Sequence, residues 1–124
     1  MVAAYRARAT ERPTPVCNDP FARPLAGPGG FEDAARYDEG APYIELFVAL
    51  RTAFFDRAAK CLLERGFSQV VVLGAGFDSR AMRFDHRLGN ARVFEVDLPD
   101  VLAVKRKHLA AADLSRRPRP AGRA

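Results

Sequence analysis

Residues 69–80 read Gln-Val-Val-Val-Leu-Gly-Ala-Gly-Phe-Asp-Ser-Arg. The aliphatic run before Gly74 has no polar break, which is typical of a strand buried on both faces in a helix-covered parallel sheet. Gly74 and Gly76 have no Cβ, so they permit a tight turn and the close approach of a ligand to the backbone. A helix-compatible segment follows. Strand, glycine turn and helix together are typical of a nucleotide-like site at the carboxyl end of a sheet.

The glycine pair does not by itself identify a ligand. The dinucleotide-binding fingerprint has a third glycine at the position where this chain has Ser79. Gly-x-Gly pairs also occur in turns that bind nothing. A nucleoside site and a simple turn therefore both remain open on these residues alone.

Length and composition predict at most one globular domain. The chain has 124 residues, and 48% of them are hydrophobic. The formal net charge of +5 is concentrated at the two ends, in Arg6, Arg8 and Arg12 and in Arg116, Arg117, Arg119 and Arg123. Because this charge sits at the ends and not on a predicted face, it does not indicate nucleic-acid binding.

The two cysteines predict neither a zinc site nor a disulfide framework. Cys17 and Cys61 lie far apart and have no CxxC partners. No apolar run is long enough to cross a membrane, and the first residues lack the apolar core of a secretory signal. We therefore expect a cytoplasmic protein with no metal and no membrane partner.

The N-terminal part, residues 1–40, is expected to form a cap of helices and loops. Residues 1–15 have a helix-compatible pattern, interpreted as a frayed helix. Asn18 or Asp19 is placed to cap a short helix. The glycine-rich residues 25–30 are expected to end that helix and to form a flexible joint.

A long helix is predicted over residues 42–65, ended by Gly66. Its apolar residues recur at spacings of three and four and predict one buried face, formed by Ile44, Phe47, Val48, Phe55, Ala58 and Leu62. Arg51 falls in the middle of that face. A buried guanidinium cannot lose its proton, so it needs an anion.

Two sources of that anion remain open. One is a structural ion pair with Asp78, Glu95 or Asp97. The other is a ligand.

The second half of the chain alternates strands and helices. The predicted elements are strands over 69–73 and 91–96, a short helix over 78–84, a loop over 87–90, a helix from Pro99 to about 113 and a disordered basic tail over 114–124. Lys105, Arg106 and Lys107 are interpreted as a solvated helix face. His86 and His108 are expected at the surface.

Asp97 lies about twenty residues beyond the glycine turn, at the end of the second strand, where an acidic residue accepts hydrogen bonds from ribose hydroxyls. Parallel strands joined by a right-handed crossover place their ends side by side. Glu95 points to the same side of the strand and competes for the role. The structural alternative is that Asp97 caps the next helix and Glu95 forms a salt bridge.

Several blocks of residues, in this order and spacing, resemble the leucine carboxyl methyltransferase family. They are Asn18-Asp19-Pro20-Phe21-Ala22, Leu50-Arg51-Thr52, Asp56, residues 69–80, Val93-Phe94-Glu95-Val96-Asp97-Leu98-Pro99 and Lys105. The resemblance is strongest to the bacterial S-adenosylmethionine-dependent O-methyltransferases of this family. It covers roughly residues 15–112.

The resemblance implies an α/β protein, the N-terminal portion of a class I, Rossmann-like methyltransferase fold, with S-adenosyl-L-methionine as cofactor. Residues 41–113 would form the partial cofactor domain. The implied cofactor-binding residues are Arg51, Gly74, Ala75, Gly76, Asp78 and Asp97. In this interpretation Arg51 holds the methionine carboxylate, the glycine turn passes under the methionine, and Asp97 holds the ribose. Asp78 orients nearby backbone or water.

The resemblance also implies methyl transfer to an oxygen of a small molecule or carboxylate, but no catalytic base can be nominated. A doubly wound sheet usually has about five or six strands, and this sequence predicts two. We therefore expect the N-terminal piece of a methyltransferase: a truncated or frameshifted product, or a fragment.

The exposed strand edge predicts self-association or completion of the sheet by another chain. Two alternatives to a methyltransferase stay open. One is a non-catalytic remnant, and the weaker one is an NAD-type binding module.

Overall fold

The computed structural model describes residues 1–84 and 91–113. In chain order its elements are α1 (Val2–Thr10), α2 (Ala22–Asp38), α3 (Ile44–Glu64), β1 (Gln69–Leu73), α4 (Arg80–Arg83), β2 (Arg92–Val96) and α5 (Pro99–Ala111). The predicted loop 87–90, His86 and the tail 114–124 lie outside the described residues. No helix among those described is both long and apolar enough to span a bilayer.

The two strands form a parallel pair. Gln69 lies opposite Arg92 and Leu73 lies opposite Val96, so the strands are in register along their whole length. The predicted bounds of β1 are confirmed, and β2 begins one residue later than predicted. The mixed α/β class with an incomplete parallel sheet is confirmed.

The prediction that β1 is buried on both faces is wrong for the described chain. Gln69, Val71 and Leu73 are exposed, and the residues between them are only half-buried. Strand β2 shows the same alternation. The reason is that the described residues provide a single neighbouring strand. The apolar sequence of β1 is suited to a larger sheet than the one described.

The hydrophobic core lies among the helices. Tyr5 of α1, Leu25 and Ala34 of α2 and Val48 of α3 share one buried cluster, against which Leu109 of α5 packs. The hydroxyl of Tyr5 donates a hydrogen bond to the carbonyl oxygen of Ala34 at 3.0 Å. The expected frayed helix at the N-terminus is therefore wrong: the small alanine side chains of α1 allow it to pack closely against its neighbours.

The first helical segment of α2 is interrupted within residues 25–30, as predicted. The helix bends at Gly27, whose φ is 59°, and then continues to Asp38. Pro28 follows the bend, where its fixed φ suits the first turn of a new helical segment. The predicted break in the helix at the glycine-rich segment is confirmed, and the flexibility of that joint stays a prediction.

Helix α3 ends one residue before the predicted boundary, and Gly66 adopts the expected positive φ of 88°. Its buried face differs from the predicted one. Phe47 and Phe55 are 58% and 47% exposed. Val48 is buried as predicted, and the other buried residues of α3 are Glu45, Ala49, Thr52 and Asp56. Polar residues can occupy this face because each has a partner, as shown below for Asp56.

Candidate functional site

The glycine turn follows β1 and is hydrogen-bonded to the end of β2. Gly74 and Gly76 have φ values of 60° and 48°, a region that L side chains adopt with strain and glycine adopts freely. Between them, the Ala75 N–H donates to the carbonyl oxygen of Val96 at 3.1 Å. A Cβ at Gly74 would meet no atom within 4 Å, so the turn borders open space.

Asp97 closes the other side of this junction. Its carboxylate accepts the Gly76 N–H at 2.6 Å and the Leu98 N–H at 2.7 Å. A carboxylate offers about four acceptor sites, so both oxygens can still accept hydrogen bonds from hydroxyl groups. Asp97 does not cap α5 in the described chain, since the cap is Leu98 and makes no side-chain hydrogen bond.

The prediction that Arg51 lies in the middle of a buried apolar face is wrong. Arg51 is exposed on α3, and its guanidinium carbon lies 6.0 Å from the centroid of the Phe55 ring. Because solvent reaches the guanidinium, burial does not force it to find an anion. Arg51 makes no ion pair with any carboxylate of the described chain.

The carboxylates that could have paired with Arg51 are held elsewhere. Glu95 accepts a hydrogen bond from the Lys105 ammonium at 2.6 Å, and Lys105 is only 4% exposed. The salt-bridge interpretation of Glu95 is confirmed, and the solvated interpretation of Lys105 is wrong. A lysine can be buried here because Glu95 pairs with it.

Asp78 is held by Arg80. One oxygen of Asp78 accepts the Arg80 backbone N–H at 2.7 Å, and the other accepts from the Arg80 guanidinium. Arg80 also donates to Asp56 of α3 at 2.9 Å. The carboxylate beside the glycine turn is thereby fixed to the helix that carries Arg51.

A second arginine, Arg83, extends this network. It lies one helical turn after Arg80 and donates to both oxygens of Asp56 and to the hydroxyl of Ser79. Burial of Arg83 disfavours its charged form, but the hydrogen bond and charge of Asp56 outweigh that effect and leave the pKa of Arg83 raised.

Arg6 of the N-terminal helix α1 contacts the segment that follows the glycine turn. Its guanidinium donates to the buried Asp19 at 2.7 Å and to the carbonyl oxygen of Phe77 at 2.5 Å. Asp19 also accepts the Phe21 N–H at 3.2 Å. The prediction that Asn18 or Asp19 caps the helix is wrong, because α2 begins at Ala22 with Phe21 as its N-cap and has no side-chain capping hydrogen bond. The pairing of Asp19 with Arg6 was not predicted, since no local pattern relates charges on separate elements.

His108 is also not the free surface residue predicted. Its Nδ1 lies 2.7 Å from the carbonyl oxygen of Leu25, and its ring stacks on Phe77 with centroids 5.4 Å apart. It connects α5 to the bend of α2 and to the residue after the glycine turn. This arrangement gives it a structural role.

A cavity of about 250 Å³ lies beside the turn. Five of the six predicted cofactor residues line it, and they are Arg51, Gly74, Ala75, Gly76 and Asp78. Val2, Ala3 and Arg6 of α1 form a further wall that sequence reasoning missed. The sixth residue, Asp97, lies within hydrogen-bond distance of Gly76. The structure thus places all six around one junction, and their role in binding stays a prediction.

Comparison with known proteins adds independent information. The chain matches the family model described as leucine carboxyl methyltransferase over residues 1–121. It is 38% identical to a Mycolicibacterium smegmatis protein named as an S-adenosyl-L-methionine-dependent methyltransferase, over 94% of this chain and 42% of that protein. A Mycobacteroides abscessus protein of the same name is 39% identical over 92% of this chain and 41% of that protein.

A third relative, from Mycobacterium avium, has the same name and is 40% identical over 91% of this chain and 41% of its own length. The chain therefore spans about two fifths of the length of these curated relatives. The family match covers nearly the whole chain, and it includes both strands and the glycine turn. This chain belongs to the leucine carboxyl methyltransferase family.

Proposed function

We propose that this chain carries the methyl-donor site of an S-adenosyl-L-methionine-dependent methyltransferase that acts on an oxygen of a small molecule or carboxylate. The observation that carries the proposal is the junction at residues 74–76. Three features meet there. Arg51 is exposed and has no carboxylate partner among the described residues, the Gly74–Gly76 turn borders open space, and the Asp97 carboxylate lies at the end of β2. The names of the relatives support the choice of cofactor.

Each residue has a chemical reason for its role. The Arg51 guanidinium presents a planar fork of donors that matches a carboxylate in a bidentate geometry, which suits the amino-acid end of the donor. Gly74 and Gly76 let that ligand approach the backbone closely. Asp97 keeps acceptor capacity for two ribose hydroxyls beyond its two backbone contacts. Asp78, fixed by Arg80, supplies a rigid negative group at the same edge.

When bound, the cofactor supplies an activated methyl group to an acceptor oxygen placed in line with its sulfur. The task left to the protein is mostly positioning. A carboxylate acceptor is already deprotonated at neutral pH, so it needs no general base. That chemistry is compatible with a site in which we nominate no base from the described residues.

Isothermal titration with S-adenosylhomocysteine tests the proposal. We expect saturable binding that Arg51→Ala weakens by about tenfold to a hundredfold, since a hydrogen bond to a charged group contributes about 1.5–3 kcal/mol. The matched control is Arg57→Ala, which removes an exposed arginine of the same helix that does not line the cavity beside the glycine turn. It should leave the affinity unchanged.

Three results would count against the donor site. They are equal binding by the wild type and Arg51→Ala, binding of NAD in place of S-adenosylhomocysteine, and no heat with any nucleotide on a chain shown to be folded. The NAD alternative is disfavoured by Ser79. This residue stands in place of the third glycine, and its fully buried hydroxyl accepts from Arg83.

A further inference from the structure

His108 contacts two other parts of the molecule at once. Its Nδ1 lies 2.7 Å from the carbonyl oxygen of Leu25 in α2, and its ring stacks on Phe77 with centroids 5.4 Å apart and planes 26° from parallel. A carbonyl oxygen can only accept a hydrogen bond, so Nδ1 carries the proton and donates. His108 therefore joins the last turn of α5 to the bend of α2 and to the first residue after the glycine turn.

The bend of α2 is shaped to receive this ring. Gly27 is non-helical and Pro28 has no N–H, so the helical hydrogen bonds are interrupted just after Leu25. An added Cβ at Gly27 would lie 3.0 Å from Cε1 of His108, so the ring packs directly on the bend. The glycine leaves the space that the ring fills, and His108 supplies a donor where the helix has lost one.

Phe77 is held both by its ring and by its backbone. His108 stacks on the ring, and Arg6 of α1 donates to the carbonyl oxygen at 2.5 Å. Phe77 also packs against the helical core and lines the cavity beside the turn. The residue that follows Gly76 is thus fixed by two helices, α1 and α5, that approach it from distant parts of the sequence.

The glycine turn is the segment most in need of such fixing. Gly74 and Gly76 both have positive φ, and glycine loses more conformational freedom on ordering than any other residue. A ligand that binds a mobile turn must order it, and that cost lowers the affinity. A turn already held in its binding conformation avoids the cost.

We propose that His108 is a positioning residue for the glycine turn: by holding Phe77 against the bend of α2, it keeps residues 74–76 in the conformation that receives the methyl donor. The last clause rests on the proposed function. In the described chain His108 is not among the residues that line the cavity. It therefore acts through Phe77 and not by contact with the ligand.

The alternative is that His108 serves only to fasten α5 to α2 through Leu25. Two substitutions separate the two contacts. His108→Asn keeps an N–H at the same number of bonds from Cα as Nδ1 and removes the ring. His108→Phe keeps a ring beside Phe77 and removes the donor to Leu25. The matched control is Lys107→Ala, which removes an exposed neighbouring side chain of α5.

Hydrogen exchange of the full chain, followed by mass spectrometry, measures the order of the turn without any ligand. Exchange of backbone amides reports local opening, and the peptide of interest contains residues 74–78. We expect His108→Asn to exchange this peptide at least about threefold faster than the wild type. His108→Phe and Lys107→Ala should exchange it at the wild-type rate.

Isothermal titration with S-adenosylhomocysteine measures the consequence for binding. His108→Asn should bind about threefold to tenfold more weakly, the range expected for one aromatic contact. His108→Phe should keep the wild-type affinity even though urea denaturation shows it to be less stable, because it has lost the hydrogen bond to Leu25. A purely structural role would make affinity follow stability in both variants.

Equal losses of affinity and order in His108→Asn and His108→Phe would overturn the inference, and so would wild-type behaviour of His108→Asn. If His108→Asn fails to fold, Phe77→Leu removes the same ring contact from the other side and should give the same faster exchange.

The two measurements also separate this inference from the donor site. If the wild type binds no S-adenosylhomocysteine but the exchange rates differ as expected, His108 positions the turn and the donor site is removed. If the wild type binds and His108→Asn matches it in affinity and exchange, the donor site is retained and the positioning role is removed.

Discussion

The helical core and the sheet bury their residues in opposite ways. In the core, Tyr5 and Leu25 are fully buried, and the carboxylate of Asp19 is buried with its charge paired. In the sheet no strand residue is fully buried, and Leu73 is 76% exposed. Polar side chains are tolerated inside the core because they have hydrogen-bonding partners. The apolar side chains of the strands stay exposed because the described chain offers no residues to cover them. We infer that the stability of this chain comes mainly from its helices.

The largest effect should follow from removing a buried charge in the core. Asp19→Ala takes away the partner of Arg6 and one of the acids near Arg83. Breaking a buried ion pair leaves an uncompensated charge and costs about 3–5 kcal/mol, a large part of the stability of a small domain. Urea denaturation followed by circular dichroism measures the loss. Asp33→Ala, which removes an exposed acid of α2, should leave the free energy of unfolding unchanged. An equal loss of stability in both variants would refute the assignment of the Arg6–Asp19 pair to the core.

Leucine truncation compares the two regions directly. Leu25→Ala should lower the free energy of unfolding by about 2–5 kcal/mol, because it removes fully buried methyl groups and leaves a cavity. The same substitution at Leu73 removes exposed atoms and should change stability by no more than about 0.5 kcal/mol. Paired urea titrations measure both. A larger loss of stability from Leu73→Ala than from Leu25→Ala would contradict the inference that the helices supply most of the stability.

A smaller effect is expected at the bend of α2. Gly27 has φ 59° and ψ 176°, and a Cβ there would lie 3.0 Å from Cε1 of His108. Gly27→Ala should therefore cost about 1–3 kcal/mol. Gly29 lies in the same helix with no atom within 4 Å of an added Cβ, so Gly29→Ala should stabilise by about 0.5–1 kcal/mol. Thermal denaturation of both variants checks the opposite signs.

The smallest perturbation is chemical labelling, which leaves the sequence unchanged. Burial raises the pKa of the Cys17 thiol, so little of it is in the reactive thiolate form, whereas Cys61 is exposed on α3. Iodoacetamide under native conditions should modify Cys61 first, and Cys17 should react only when the core opens. Mass spectrometry of timed samples gives the two rates. Similar rates would mean that the core opens readily.

The parts of the molecule that could be predicted from sequence are those set by neighbouring residues. The β1 run, the glycine turn and the strand ending at Asp97 each follow from local residue types, and the structure has them at or near the predicted positions. Asp97 could be placed beside Gly76 because parallel strands bring their carboxyl ends together.

The face of α3 that packs on the core could not be predicted, because it depends on partners far along the chain. Asp56 is buried through Arg80 and Arg83, which lie 24 and 27 residues away. An amphipathic pattern counts such a carboxylate as solvent-facing, so it selected the phenylalanines and placed Arg51 among them. The close packing of α1, which was predicted as a frayed helix, was missed for a different reason. Its alanines give no strong periodic signal, yet their small size permits close packing.

The buried phenol of Tyr5 provides an intrinsic optical probe in a chain without tryptophan. Burial, with a further contribution from the charge of Asp38, raises the pKa of Tyr5, whereas Tyr37 and Tyr43 are exposed. Because the fold favours the neutral phenol, this contribution to stability is complete below the ordinary phenol pKa and is lost as pH rises through the raised value. Tyrosinate absorbance during an alkaline titration would therefore report opening of the helices without a label and without a signal from the strands, which contain no tyrosine.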